Sequence, residues 1–198
     1  MAQFKPIEQG IEVNGNTVYA IVDGFGTYKS MAEKILLAEN IGEMKNDKYH
    51  IEMDKWYSQA AWLSAFEKIS HKLGANVLFT IGQKIPQNAT FPDWVKDIHS
   101  AVKSIDIAYH MNHRKNGKVM FDPATGIMLE GIGHYGYEAI QGKNMIISVC
   151  DNPYPCDFDR GIISAMATKF EFTSSVKLDS SKASRKDGSD ISTYIITW

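Results

Sequence analysis

The last third of the chain constrains the fold more than any other part. An apolar strand over 145–149 runs into a connection that two prolines stiffen. A helix over 157–170 follows, and then two strands, near 176–179 and 193–197, that a polar turn separates. Apolar residues on one face of a strand or helix must be covered by another element. This order of elements therefore predicts an antiparallel sheet that packs against one helix.

The rest of the chain is mostly helical before this block. Apolar side chains recur at helical spacing along 30–39, 56–73, 76–84 and 92–112. Strands near 119–121 and over 127–139 follow the last of these helices. Because helices come first and an antiparallel sheet last, we predict an α+β fold with N-terminal helices packed on a curved antiparallel sheet.

The N-terminus has a hairpin signal. Asn14-Gly15 separates two apolar segments, 11–13 and 17–22, and Asn-Gly is typical of a tight type I′ turn. We therefore predict a single domain over 1–198. Residues 1–25 would form a hairpin extension, 27–113 would be mainly helical, and 118–198 would be mainly antiparallel sheet with one helix.

Composition excludes several classes of protein. The chain is 44% hydrophobic with a net charge of -2, which favours a globular core over disorder and gives no attraction to nucleic acid or anionic membranes. No apolar run is long enough to cross a bilayer, and the N-terminus lacks a signal-peptide core. We expect a cytoplasmic protein with no membrane insertion, in which the two cysteines are thiols.

The C-terminal block resembles a known family. The helix carries the small residues Gly161, Ser164, Ala165 and Ala167, and the final turn carries Gly188 and then Tyr194. This arrangement is similar to the 4-vinyl-reductase-like domain, which is related to haem–nitric oxide binding domains and to small TRAPP subunits. Two family positions occupied by cysteine are Ser184 and Ser192 here. Serine cannot supply the thiolate that a metal ligand needs.

The resemblance implies a haem–nitric-oxide-binding or TRAPP-like ligand-binding fold. Domains of this shape act as small-molecule-binding, sensory or scaffolding modules, often as homodimers. It therefore implies a hydrophobic small molecule as partner and haem as one candidate cofactor.

One helix face carries groups that can bind metal. Asp106, His110 and His113 fall at i, i+4 and i+7, so they share a face of the predicted helix. Two imidazoles and a carboxylate can form an open zinc or non-haem iron site. Lys96 and Lys103 lie on the same stripe, so the alternative is a solvated face.

Two thiols flank the proline-rich connection. Cys150 and Cys156 lie six positions apart, with Tyr154 between them, which does not match a zinc ribbon. Cys156 stands at a predicted helix N-terminus, where a thiol can become reactive. A rigid connection with Cys150 as a small buried hydrophobe is the alternative. We take Cys150, Tyr154 and Cys156 as candidate ligand contacts.

A glycine-rich segment precedes the C-terminal sheet. Gly131, Gly133 and Gly136 interrupt a predicted strand, and such glycines mark a bulge or the close approach of a ligand. Alternation sends Tyr135 to one face and His134 to the other. We take both as candidate ligand contacts, together with His110, and His134 as a candidate haem ligand or proton donor. The alternative is a curved, partly exposed strand.

No catalytic motif is present. The chain has neither a Gly-x-Ser-x-Gly elbow nor a His-Glu-x-x-His helix, so no catalytic residue is assigned. The first hypothesis is a ligand-binding or sensory domain whose apolar cavity holds haem or another hydrophobic molecule. The second is a homodimeric interaction module anchored by Trp56, Trp62 and Trp94. The third is a metal-dependent enzyme that uses Asp106, His110 and His113.

Overall fold

The computed structural model describes residues 3–87 and 89–198 and confirms the predicted α+β class. The first two residues of the predicted 1–25 extension lie outside the described part. Among the described residues, no helix combines the length and apolarity needed to span a bilayer. The helices of the chain are α1 (Gly15–Gly24), α2 (Lys29–Ala38), α3 (Gln59–Leu73), α4 (Ala75–Gln87), α5 (Ile98–Met111) and α6 (Cys156–Phe170).

The strands form antiparallel sheets. In chain order they are β1 (Ile11–Asn14), β2 (Glu43–Lys45), β3 (Lys48–His50), β4 (Trp56–Ser58), β5 (His113–Lys115), β6 (Lys118–Val119), β7 (Phe121–Asp122), β8 (Ile127–Met128), β9 (Glu138–Ala139), β10 (Met145–Cys150), β11 (Ser175–Leu178) and β12 (Ser192–Thr197). One sheet has the order β4-β1-β5-β6, and the C-terminal sheet has the order β11-β12-β10-β9. The pairs β2-β3 and β7-β8 are separate ribbons.

The predicted N-terminal hairpin is wrong. Asn14 instead caps α1, because its side-chain oxygen accepts the Asn16 backbone N–H at 2.8 Å. Gly15 is needed for close packing, since a Cβ there would lie 2.3 Å from the Glu52 carbonyl oxygen. The Asn-Gly pair therefore starts a helix against a neighbouring backbone. β1 pairs with β4 and β5, which lie far along the chain.

Helix α5 begins later than the apolar pattern indicates. Asp97 and Ser100 form a reciprocal capping box, in which the Asp97 carboxylate accepts the Ser100 N–H at 2.7 Å. The helix therefore starts at Ile98, while Pro92 lies in the preceding loop. The predicted apolar stripe is confirmed as buried, including Val102 and Ile105. This stripe orients the C-terminal half of α5 toward the core.

The C-terminal block matches its prediction closely. β10 pairs with β12 over six residues, from Met145 opposite Thr197 to Cys150 opposite Ser192. The predicted single strand over 127–139 is wrong, because it breaks into β8, an irregular glycine-rich segment and β9. Gly133 has a φ of 74° and faces the Asp151 carbonyl at a distance that excludes a side chain.

Helices α4 and α6 cross in close contact. A Cβ on Gly82 would lie 2.1 Å from the Phe158 carbonyl oxygen, and one on Gly161 would lie 2.2 Å from that of Phe79. Both positions must therefore be glycine for the backbones to approach this closely. Trp62 is completely buried and stacks on Phe66 at 5.3 Å. Its proposed role as an interface anchor is therefore wrong.

Candidate functional site

An apolar pocket of about 120 Å³ lies among four helices. Thr17 and Ile21 of α1 form one side, and residues of α4, α5, α6 and several connecting segments form the others. Apolar side chains make most of the wall; they include Ile21, Ile85, Ile105, Phe158, Ile162 and Met166. Such a wall favours a hydrophobic occupant, because binding removes apolar surface from water.

His113 and Tyr154 form a polar edge of the pocket. His113 is the first residue of β5, and its Nδ1 lies 2.7 Å from the Tyr109 carbonyl oxygen. A carbonyl only accepts, so Nδ1 carries the proton and Nε2 accepts the Tyr154 hydroxyl at 3.0 Å. Burial lowers the pKa of His113 to about 4. The imidazole is therefore neutral at physiological pH.

Unsatisfied polar groups stand beside the Tyr154 hydroxyl. Burial raises the pKa of Tyr154, and the nearby side chains of Gln59 and Trp62 oppose that increase. Within residues 3–87 and 89–198, both amide atoms of Gln59 and the Trp62 indole nitrogen are buried without a hydrogen-bond partner. Buried polar groups without partners are costly. The Gln59 amide nitrogen and the Trp62 indole nitrogen can donate a hydrogen bond to a small polar group or a water molecule, and the Gln59 amide oxygen can accept one.

A buried ion pair connects the pocket to the C-terminal sheet. Tyr135 lines the pocket and donates its hydroxyl proton to Asp159 at 2.6 Å. Asp159 pairs with Arg185 at 2.5 Å, and both side chains are fully buried. Arg185 also donates to the carbonyl oxygens of Asn152 and Tyr154. The sequence offered no signal for this pair, because its members lie 26 positions apart and each residue type is usually exposed.

A second cluster, which includes Asp106 and His110 of α5, lies outside the pocket lining. His110 Nδ1 lies 2.8 Å from the Asp106 carbonyl oxygen, and His134 Nδ1 lies 3.1 Å from the Asp106 carboxylate. His134 Nε2 lies 2.9 Å from the Glu130 carboxylate. Burial lowers the pKa of His110. Burial acts in the same direction on His134, but Glu130 and Asp106 outweigh it and raise its pKa.

The predicted site residues divide among these places. Tyr135 and Tyr154 line the pocket, while His110 and His134 belong to the second cluster. The structure groups His134, not His113, with Asp106 and His110. The alternative of a solvated helix face is wrong for His110 and His113, which are 0% and 2% exposed. Helical spacing predicts that these residues share one face of α5, but it does not identify the segments of the chain that cover this face.

The cysteines lie outside the pocket lining. Cys156 begins α6 with its Sγ 3.1 Å from the Ser192 hydroxyl, and it is buried. Burial raises the pKa of the Cys150 thiol well above its usual range. Ser192 also accepts two hydrogen bonds from Arg185. Ser192 therefore helps to hold the buried arginine in place.

Solved structures share this fold. The chain is similar to an H-NOX protein from S. oneidensis in the Fe(II) ligation state, with a TM-score of 0.61, 16% identity, and coverage of 93% of this chain and 95% of that one. It is also similar to an oxygen-binding H-NOX domain related to soluble guanylate cyclases, with a TM-score of 0.59, 14% identity, and coverage of 93% and 94%.

An NMR structure of an H-NOX domain from Shewanella oneidensis in the Fe(II)CO state gives a TM-score of 0.57, 15% identity, and coverage of 93% and 95%. No protein-family model matches the chain, and no curated protein matches it. The predicted relation to haem–nitric oxide binding domains is therefore confirmed at the level of fold. The likeness to 4-vinyl-reductase and TRAPP proteins stays a prediction.

Proposed function

We propose that this chain is a ligand-binding sensory domain whose site is the apolar pocket among α1, α4, α5 and α6. The observation that carries this proposal is the pocket itself, with its mainly apolar wall and the hydrogen-bonded pair His113 and Tyr154 at its edge. Apolar surface supplies affinity in such pockets, and a few polar groups fix the orientation of the ligand. The neutral His113–Tyr154 pair would meet a weakly polar group on that ligand.

The fold supports a sensory role. One protein with the same fold is described as an oxygen-binding domain related to soluble guanylate cyclases. A domain that binds a small molecule and reports its presence needs a pocket coupled to another surface. Tyr135, Asp159 and Arg185 provide such a connection, from the pocket wall to the turn between β11 and β12.

The pocket in this conformation does not fit a haem group. Its volume of about 120 Å³ is close to the roughly 150 Å³ of an engineered cavity that holds benzene, and a porphyrin is several times larger than benzene. Among the described residues, no lysine or arginine lines the pocket, so the propionates would lack cationic partners there. The Nε2 lone pair of His113 already accepts a hydrogen bond. We therefore propose a smaller hydrophobic ligand.

Benzene is a suitable probe for this pocket. We expect its addition to shift the methyl NMR signal of Met166, which lines the pocket, and to leave that of the exposed Met44 unchanged. Ala108→Leu places a larger side chain in the pocket lining and should abolish the shift. Ala75→Leu is the matched control, because Ala75 is an exposed helical residue outside the lining.

Two outcomes would contradict the proposal. Equal responses of Met166 and Met44 would mean that benzene does not bind selectively in the pocket. If haem addition shifts the Soret band and His113→Gln removes that shift, the ligand of the pocket is haem and not a smaller molecule. A Soret shift that survives His113→Gln would place haem elsewhere and leave the pocket to the smaller ligand.

Homodimer formation and a cytoplasmic location stay predictions. Trp94 is 45% exposed and is the strongest of the three suggested anchors, since Trp56 stacks with Arg114 at 4.8 Å. Light scattering of the purified chain decides the oligomeric state, and Trp94→Ala should shift a dimer toward monomer.

A further inference from the structure

The cluster on α5 contains a buried histidine whose free nitrogen has no partner. His110 is completely buried, and its Nδ1 donates to the Asp106 carbonyl oxygen. The Nε2 atom therefore carries a lone pair, and no described residue donates to it. A histidine that ligates a metal usually has this arrangement, in which the other ring nitrogen donates to a carbonyl or carboxylate.

His134 has a matching arrangement. Its Nε2 meets the Glu130 carboxylate at 2.9 Å, which leaves Nδ1 facing the Asp106 carboxylate at 3.1 Å. A metal ion can replace a proton between an imidazole nitrogen and a carboxylate oxygen. Glu130 then orients the ring from behind, as in the carboxylate–histidine–metal triads of known sites.

Backbone contacts hold the cluster in place. Asp106 accepts the Tyr135 backbone N–H at 2.9 Å, and the His134 backbone N–H donates to Asp151 at 2.5 Å. The glycine-rich segment is thereby fixed against α5. Lys103, which lies on the same predicted stripe, has its ammonium group 4.6 Å from the Tyr137 ring centroid. The aromatic ring thus provides a partner for that positive charge.

We propose that Asp106, His110 and His134 form a binding site for a divalent transition metal of the zinc class. One ligand atom from each residue lies within 4.8 Å of the others. Metal–ligand bonds of roughly 2.0–2.2 Å require a closer approach, so the side chains rotate inward when the ion binds. Two imidazoles and a carboxylate are ligands that zinc accepts, and three protein ligands leave a coordination position open.

This site is independent of the proposed pocket. None of the three ligands belongs to the pocket lining. Failure of benzene to bind would leave the metal site untouched, and the absence of metal would leave the pocket proposal untouched.

Calorimetric titration of the full chain with Zn²⁺ tests the proposal. We expect one ion per chain, loss of that binding in His134→Ala and in Asp106→Asn, and a roughly tenfold to hundredfold weaker affinity in Glu130→Gln. His134 is partly exposed, so His134→Ala should retain its fold, which circular dichroism verifies.

The control removes an ordinary surface histidine. His71 is exposed and lies 3.9 Å from Glu67, so His71→Ala should bind Zn²⁺ like the parent chain. Absence of one-to-one binding to the parent, or equal binding by the parent and the folded His134→Ala variant, would overturn the proposal.

Discussion

The side chains of Asp159 and Arg185 form an ion pair that is fully buried. Removing one partner leaves the other charged and unpaired, which typically costs about 3–5 kcal/mol. We therefore expect Asp159→Ala to lower the free energy of unfolding by about this amount in urea denaturation. Replacing both, as Asp159→Leu with Arg185→Met, should recover part of the loss, because no buried charge is left without a partner.

A neighbouring, partly exposed ion pair supplies the control. Lys186 lies 2.6 Å from Asp157 and is 42% exposed. Such pairs typically contribute about 1 kcal/mol or less, so Lys186→Ala should change stability little. Similar losses in Lys186→Ala and Asp159→Ala would contradict the assignment of Asp159 and Arg185 as a buried pair.

Burial of His113 should make the free energy of unfolding depend on pH. Its pKa is lowered to about 4 in the folded chain, while an unfolded histidine has a pKa of about 6.5. The unfolded chain therefore binds a proton first as the pH falls, and stability is lost below about pH 6.5. Burial lowers the pKa of His110 in the same direction, whereas the raised pKa of His134 acts in the opposite direction.

Denaturant titrations at about pH 7 and about pH 5 isolate the contribution of His113. We expect the parent chain to lose more stability between these two pH values than His113→Gln does. One pKa unit corresponds to about 1.4 kcal/mol, so the difference is measurable. Equal losses in the two proteins would show that His113 is not held neutral by the fold.

The same histidines show the limit of a sequence pattern. Helical spacing predicts that Asp106, His110 and His113 share a face, but a stripe containing Lys96 and Lys103 also fits exposure. The glycine-rich segment and Tyr154 contact this face, and they come from distant parts of the chain. The contact of these segments with α5 depends on tertiary packing, and local sequence periodicity carries no information about such packing.

At the level of elements, the crossing of α4 and α6 depends on two glycines. An alanine Cβ at Gly161 would lie 2.2 Å from the Phe79 carbonyl oxygen, and backbone cannot move aside as a flexible side chain can. Overpacking of this kind typically costs about 1–3 kcal/mol. We expect Gly161→Ala to lower the thermal midpoint by about 2–12 °C.

Gly24 is the matched control in another helix. A Cβ there would make only ordinary contacts, the nearest at 3.6 Å, and alanine favours helices by up to about 1 kcal/mol over glycine. Gly24→Ala should therefore be neutral or stabilising. If Gly161→Ala melted at the same temperature as Gly24→Ala, the helices would not be in the close contact described here.

The sequence predicted some elements much better than others. Strands β10, β11 and β12 and helix α6 follow from apolar runs and local stops, and their boundaries agree within about two residues. The Asn14-Gly15 pair misled the N-terminal prediction, because a turn and a helix cap use the same residue types. The helix cap is favoured over the turn because the Glu52 carbonyl oxygen packs against Gly15. This contact depends on long-range packing.

For the whole molecule, the pocket and the C-terminal sheet form one connected unit. Tyr135 and Tyr154 line the pocket, and both reach the buried ion pair: Tyr135 through its hydroxyl and Tyr154 through its carbonyl oxygen. A ligand that packs against these rings stabilises the conformation in which Arg185 is held. Ligand binding should therefore restrain the turn at Arg185–Asp187, which lies outside the pocket lining.

Hydrogen exchange with bound benzene measures this restraint. A ligand that binds only the folded chain stabilises it by about 2.7 kcal/mol at a concentration of 100 times its dissociation constant. We expect slower exchange in α5, α6 and residues 184–194 of the parent chain. In Tyr135→Phe, which lacks the hydroxyl bonded to Asp159, protection of α5 and α6 should persist while that of 184–194 falls.

The β2–β3 ribbon serves as the internal control, because it lies outside the pocket lining. Equal protection of residues 184–194 in the parent chain and in Tyr135→Phe would mean that the Tyr135 hydroxyl does not transmit the restraint, because the substitution removes only that group.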